Sequence, residues 1–268
     1  MQRSNILKKI LAHKEKEIEQ HKQNRSEQRL KQMLPCMPAP ISLVDSIRKS
    51  DKIAIIAEMK KASPSAGVIR PDFSPEWLAK EYQNGGATAI SVLTDKDFFQ
   101  GSIEYIRQIR LLVNLPLLRK DFIIDPYQVL EARAFGADAL LLIVAAFPEV
   151  SLKQLLAEVK EYQMEALVEV HNEAEMEIAL NTGATLIGIN NRDLESFKID
   201  LGVTERLAQL APDGVTLVGE SGIHTIEDVL RMKSAGVHAL LIGTHFMQQP
   251  SPGEALEEFI TNIPKTFR

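Results

Sequence analysis

The stretch FGADALLLIV, residues 135–144, decides the fold. Gly136 ends a helical pattern, as a C-terminal cap does, and a short apolar strand pattern follows it. The same arrangement returns in GGATAI (85–90), TGATLI (182–187) and AGVHAL (235–240). Aligned on Gly86, Gly136, Gly183 and Gly236, the copies stand 50, 47 and 53 residues apart, too long for one strand–helix unit and right for two. Near-continuous apolar strands separated by amphipathic helices belong to a parallel sheet, whose strands are buried on both faces.

The intervening strands fill the gaps. Strands are expected near 53–60, 89–94, 116–121, 139–145, 165–170, 186–190, 216–220 and 239–243, each followed by a helical pattern. Ser74-Pro75, Asp125-Pro126 and Ser251-Pro252 each offer an N-cap with proline at the first helical position. Ser251 with Glu254 fits a capping box, and Asp125 with Gln128 fits one more loosely. Eight such units make an α/β protein of the (β/α)8 TIM-barrel class. A doubly wound open sheet is the alternative; it needs a strand-order reversal and usually a glycine-rich first turn, and neither is visible.

The chain has 268 residues, 45% of them hydrophobic, enough for one large core. A net charge of −5 gives no overall sign of nucleic-acid binding. Residues 1–31 hold nine Lys/Arg against four Asp/Glu. Cys36 is the single cysteine, so no internal disulfide forms, which suits a reducing compartment. The longest apolar run, Ala137–Phe147, is too short to span a bilayer, and no signal peptide is visible. A cytoplasmic protein without membrane association is expected. Residues 1–45 lie outside the repeat as a helical extension with a proline-bearing connector, LPCMPAPIS (34–42), and residues 46–268 form the catalytic barrel, a single domain overall. Ile6, Leu7, Ile10 and Leu11 share a helical face that Ile18 extends. That helix either packs on the barrel or crosses its mouth.

In such barrels the reacting groups gather where strands end. The first strand ends in Glu58 and Lys60, and the third in Arg119, Lys120 and Asp121. The fifth carries Glu169, the sixth ends in Asn190, Asn191, Arg192 and Asp193, the seventh in Glu220 and Ser221, and the eighth in Gly243 and Thr244. Residues two apart share a face, which pairs Glu58 with Lys60, Lys120 with Phe122, and Asn190 with Arg192. So many acids and bases at one mouth are costly to bury and suit acid–base work. The turns ESGIHT (220–225) and GTHF (243–246) follow strands seven and eight, where these barrels bind phosphate, and Ser63 can add a hydroxyl. The six histidines show no metal-ligand spacing; His171, His224 and His245 read as turn residues, and Trp77 as packing. No Walker A or GxGxxG sequence appears. Neither metal nor cofactor is expected.

Seven segments in register carry a family likeness: IAEMKKASPS (56–65), FFQGS (98–102), LLRKDFIIDPYQ (117–128), LVEVHNEAE (167–175), IGINNRDL (187–194), VGESGI (218–223) and PSPGEAL (250–256). Together they resemble indole-3-glycerol-phosphate synthase. The resemblance implies a cofactor-free enzyme of tryptophan biosynthesis. It would convert 1-(2-carboxyphenylamino)-1-deoxyribulose 5-phosphate to indole-3-glycerol phosphate, releasing carbon dioxide and water. By this likeness Lys120 is the general acid of ring closure and Glu169 the acid/base partner in dehydration. Lys60 holds the substrate carboxylate, and Glu58, Asn190 and Glu220 orient groups and stabilise charge. Arg192 adds a carboxylate-side contact, Phe99 and Phe122 line the aromatic pocket, and Ser63, Ser221, Gly222, Gly243 and Thr244 hold the phosphate. Ala66, Thr244 and His245 depart from the usual pattern, as does Met59, which should point away from the mouth. Desolvation is expected to lower the Lys120 pKa and sharpen it as an acid. A Schiff-base aldolase or a sugar-phosphate isomerase on the same barrel are the rival activities, and association with other tryptophan-pathway enzymes stays open.

Overall fold

The computed structural model describes residues 6–264. The two outer ends of the expected division at residue 45, residues 1–5 and 265–268, fall outside them. The apolar runs form eight parallel strands: β1 Ala54–Met59, β2 Ala89–Leu93, β3 Leu117–Lys120, β4 Ala139–Ile143, β5 Glu165–Val170, β6 Leu186–Asn190, β7 Thr216–Glu220 and β8 Ala239–Ile242. Each pairs with its sequence neighbours, and β1 also pairs with β8, Ala54 opposite Ala239, which closes the barrel and excludes the open sheet. A two-residue antiparallel ladder, Ala62–Ser63 with Gly67–Val68, sits in the loop after β1.

Period-two alternation sorts each strand onto two cores. Ala54, Ile56, Leu118, Leu141, Leu167, Val218 and Leu241 fill the barrel interior. Ile55, Ala57, Met59, Leu140, Leu142 and Val168 pack outward against the helices, so Met59 does face away from the mouth. Continuing the inward parity upward brings Glu58, Lys120, Glu169, Asn190 and Glu220 to the C-terminal rim. At the opposite end Leu43 and Ile47 plug the barrel. Their helix is held by Glu165, whose carboxylate accepts the N–H groups of Leu43 (2.6 Å) and Val44 (2.9 Å).

Helices α1 (Ile6–Asn24), α2 (Glu27–Met33) and α3 (Leu43–Arg48) precede the barrel. The outer ring follows with α4 (Pro75–Asn84), α5 (Glu104–Arg110), α6 (Pro126–Ala134), α7 (Glu149–Glu161), α8 (Glu173–Asn181), α9 (Gly202–Ala208) and α10 (Ile226–Ser234). The short α11 (Thr244–Met247) and α12 (Pro252–Asn262) follow β8. The repeat glycines Gly86, Gly136, Gly183 and Gly236 all take positive φ, between 82° and 93°, which is why each helix can stop there and the next strand begin at once. Asp125 forms the full capping box with Gln128. The expected box at Ser251 is absent, and Ser251 makes no side-chain cap. Close packing sets that helix start instead: a Cβ on Gly253 would lie 2.6 Å from the Glu81 carbonyl oxygen of α4. Thr225 forms a box with Asp228 that its sequence context had not singled out. Trp77 is only partly covered, with the Arg70 guanidinium 4.9 Å from its ring centroid.

Candidate active site

A cavity of about 470 Å³ opens at the C-terminal mouth of the barrel. All fourteen residues expected of the site line it: Glu58, Lys60, Ser63, Phe99, Lys120, Phe122, Glu169, Asn190, Arg192, Glu220, Ser221, Gly222, Gly243 and Thr244. Ile6, Leu7 and Ile10 of α1 line it too, so the extension both packs on the barrel and reaches across the mouth.

Lys120 sits at the centre. Its Nζ lies 3.0 Å from Glu169 Oε2 and 2.5 Å from Glu220 Oε2. Burial opposes its charge, but Glu220, Glu169 and Glu58 together outweigh that and hold the ammonium above the ordinary lysine range. The expected lowering is therefore wrong in direction: desolvation is present, and three carboxylates overcome it. Burial alone would raise Glu169; Lys120 and His171 reverse this and keep it ionised. Glu220 goes the other way, pushed up to about 7 by burial against the pull of Lys120, with Glu169 and Glu58 adding repulsion. Two carboxylates share one ammonium, and their surroundings push them in opposite directions.

Two glycines make room for these acids. A Cβ on Gly188 of β6 would fall 2.1 Å from Glu220 Oε1, and one on Gly243 would fall 2.3 Å from Glu58 Oε2. Glu220 Oε1 has no hydrogen-bond partner among the described residues. Glu58 is paired with Lys60 at 2.6 Å, the same-face pair that the alternation of β1 requires. Phe99 and Phe122 face each other with centroids 6.2 Å apart, making an aromatic wall beside the cations.

The other side of the mouth is built of turns. Ser221 and Gly222 both take positive φ, 65° and 82°. A left-handed serine is strained backbone and is held here from outside: Asn191 Nδ2 donates to the carbonyls of Glu220 (3.0 Å) and Ser221 (3.1 Å). Gly243 leads into α11, whose first N–H groups have no partner within the helix. His224 and His245 stand beside these turns with ring centroids 6.0 Å apart, and burial together with His224 lowers His245.

Three side chains that brace the site escaped the sequence reading. Lys14 is buried and meets Glu17 (2.8 Å), Asp95 (2.9 Å) and Asp121 (3.0 Å), tying α1 to the strand that carries Lys120. The signal was its place between Ile10 and Ile18 on the buried stripe. Asn191 points out of the barrel and was passed over for Asn190. His171, read as a turn residue, lies on the parity of Glu169 and touches it. Away from the mouth, His13, Glu17 and Asp97 bring ligand-type atoms within 4.8 Å of one another, with His13 and Asp97 already paired at 2.5 Å.

A closed barrel with a cluster of acids and bases at the C-terminal ends of its strands has the form of a (β/α)8-barrel enzyme. Residues 7–259 match the family model described as indole-3-glycerol phosphate synthase. Curated proteins of that name are 48% identical over 261 residues in Roseiflexus sp. (94% of this chain, 97% of that protein) and 46% identical over 259 residues in Trichodesmium erythraeum (94% and 87%). The chain belongs to the indole-3-glycerol phosphate synthase family, carboxy-lyases of tryptophan biosynthesis. Solved structures at low identity share the fold: a thiamine phosphate pyrophosphorylase from Pyrococcus furiosus has a TM-score of 0.58 at 18% identity, covering 79% of this chain and 95% of that one. No helix among the described residues is long and apolar enough to cross a membrane.

Proposed function

We propose that the mouth cluster closes, decarboxylates and dehydrates 1-(2-carboxyphenylamino)-1-deoxyribulose 5-phosphate, with Lys120 as the first proton donor. The contact of Lys120 with both Glu169 and Glu220 carries this reading. As the aromatic carbon attacks the ketone, an alkoxide forms on oxygen. That alkoxide is more basic than an amine, so even a strongly held ammonium delivers its proton there, and its charge stabilises the oxyanion beforehand. Glu220 stands at hydrogen-bond distance with a proton available near neutral pH and restores Lys120. Loss of carbon dioxide then returns the ring nitrogen to neutrality. In the dehydration the recharged Lys120 ammonium protonates the departing hydroxyl, which leaves as water, and Glu169, kept ionised, takes the ring C–H proton. Two protonations of oxygen and one deprotonation leave a net uptake of one proton per turnover when the substrate carboxylate enters ionised.

Lys60 and Arg192 hold the carboxylate and Glu58 balances Lys60. Asn190 orients the reacting groups, and Phe99 and Phe122 flank the anthranilate ring. Ser63, Ser221, Gly222, Gly243 and Thr244 receive the phosphate through hydroxyls and backbone N–H groups. The catalytic barrel starts near residue 46, with the helices before it as an extension, in a cytoplasmic enzyme. The test is direct: incubation with the substrate should give indole-type fluorescence and carbon dioxide in equal amounts. Turnover without carbon dioxide would indicate an isomerase, and a borohydride-trapped adduct an aldolase.

A further inference from the structure

His171 is a largely covered imidazole that the chemistry above does not use. It follows β5 by one residue, on the inward parity of Glu169, yet it does not line the cavity. Its Nε2 lies 3.2 Å from Glu169 Oε1, the oxygen turned away from Lys120, at an angle poorer than a well-formed hydrogen bond. Its Nδ1 lies 3.0 Å from Glu175 Oε2. Glu175 is itself fixed by the start of α8. Its Oε2 accepts the His171 N–H (2.8 Å), its Oε1 accepts from Asn172 Nδ2 (2.7 Å), and its own N–H donates to the Asn172 cap (3.0 Å).

A chain therefore runs inward from an exposed helix cap: Asn172 fixes Glu175, Glu175 fixes the His171 ring, and the ring meets Glu169. A carboxylate with one oxygen on Lys120 and the other on His171 cannot rotate away from the lysine. The charged groups facing the ring are Glu169 from β5, Glu175 from α8 and Asp193 from the loop after β6. All three are acids, which favours an imidazolium, and a cation at that point keeps Glu169 a carboxylate.

We infer that His171, braced by Glu175, is a positioning residue for Glu169, holding its carboxylate oriented on Lys120 and competent to take a proton. This rests on the reading of Glu169 as the dehydration base. Burial lowers the imidazole, but its close contacts with the carboxylates of Glu169 and Glu175 carry it up to about 10, so the pair stays charged through the neutral range.

The experiment is a pH–rate series on His171→Asn, Glu175→Gln, the double variant and Glu169→Gln. His171→Asn is expected to lose about tenfold in kcat, a typical share of a general-base contribution, with KM little changed. Its acid limb should move to higher pH, because Glu169 then gives up its proton less readily. Glu175→Gln should shift the limb in the same direction by less, and should add nothing in the His171→Asn background, since it acts through the ring. A His171→Asn profile superimposable on wild type overturns the proposal, as does a Glu175→Gln effect that persists in full in the double variant. Should His171→Asn fail to fold, Glu175→Gln decides alone: an unshifted limb overturns the proposal. Glu169→Gln keeps the two levels apart. Near-normal turnover there removes the reading of Glu169 itself, while an inactive Glu169→Gln beside an unaltered His171→Asn overturns this inference only.

Discussion

Strand β3 carries charged residues on both of its faces, and their environments are opposite. Inward, Lys120 meets Glu169 and Glu220 at the open mouth. On the other parity, Arg119 and Asp121 enter a closed network. Asp121 takes Lys14 at 3.0 Å, Thr94 Oγ1 at 2.6 Å and Arg119 at 3.2 Å, and Arg119 reaches Glu131 at 3.0 Å. Burial would raise Asp121, yet Lys14 and Arg119 bring it far below the carboxylate range. The outer network thus leaves Asp121 no proton to exchange, and it serves to fasten α1. The inner one leaves Glu220 with an oxygen that has no hydrogen-bond partner among the described residues and a pKa pushed up to about 7 by burial. The same residue types on one strand make a clasp on one face and a cluster open to the cavity on the other. The number of fixed partners separates the two.

Breaking the clasp should have the largest effect. Lys14→Met leaves Asp95 buried without its cation and Asp121 with Arg119 alone, and removing one member of a buried pair costs about 3–5 kcal/mol. Thermal unfolding should show Tm lower by about 10 °C. KM should rise more than kcat falls, because Ile6, Leu7 and Ile10 line the cavity from the helix that Lys14 fastens. An unchanged Tm would show that the clasp does not hold α1.

Gly188→Ala sharpens the contrast from the other side. Its Cβ collides with the far end of Glu220, a side chain that can swing, so the fold should survive with little change in Tm. The carboxyl would leave Lys120, and kcat should fall about 100-fold, the scale of a lost general acid–base contact. Normal kcat in this variant would show that Glu220 is not needed where it stands.

The smallest effect is a pH dependence of stability. His171 has a folded value of about 10 against an ordinary 6.5. Its contribution is therefore fully present below pH 6.5, shrinks as pH rises from there, and is gone above pH 10. The Tm gap between wild type and His171→Asn should be widest near pH 6 and close by pH 10. A gap that widens with pH would contradict the charged pairing with Glu169 and Glu175.

Much of this was legible in the chain. Four glycine-closed helices followed by apolar strands point to a parallel sheet, and eight strands close it. Period two at the strand ends paired Glu58 with Lys60, Lys120 with Phe122 and Asn190 with Arg192 without reference to their partners, and Glu220 stood out by its place at the end of a strand. The direction of the Lys120 shift was not legible, because the carboxylates that set it come from β5 and β7, 49 and 100 residues on. Lys14 looked like one more cation in a basic helix until its stripe turned inward. The capping box at Ser251 met the pattern and failed because backbone packing at Gly253 settles that helix start.

The central claim is that Lys120 supplies the first proton, and single-turnover mixing of Lys120→Ala with the carboxyphenylamino deoxyribulose phosphate tests it most directly. The variant should bind the substrate with near-normal affinity, release no carbon dioxide on the wild-type timescale and lose about 10³-fold or more in rate. Carbon dioxide release and indole fluorescence at near wild-type rate would contradict it.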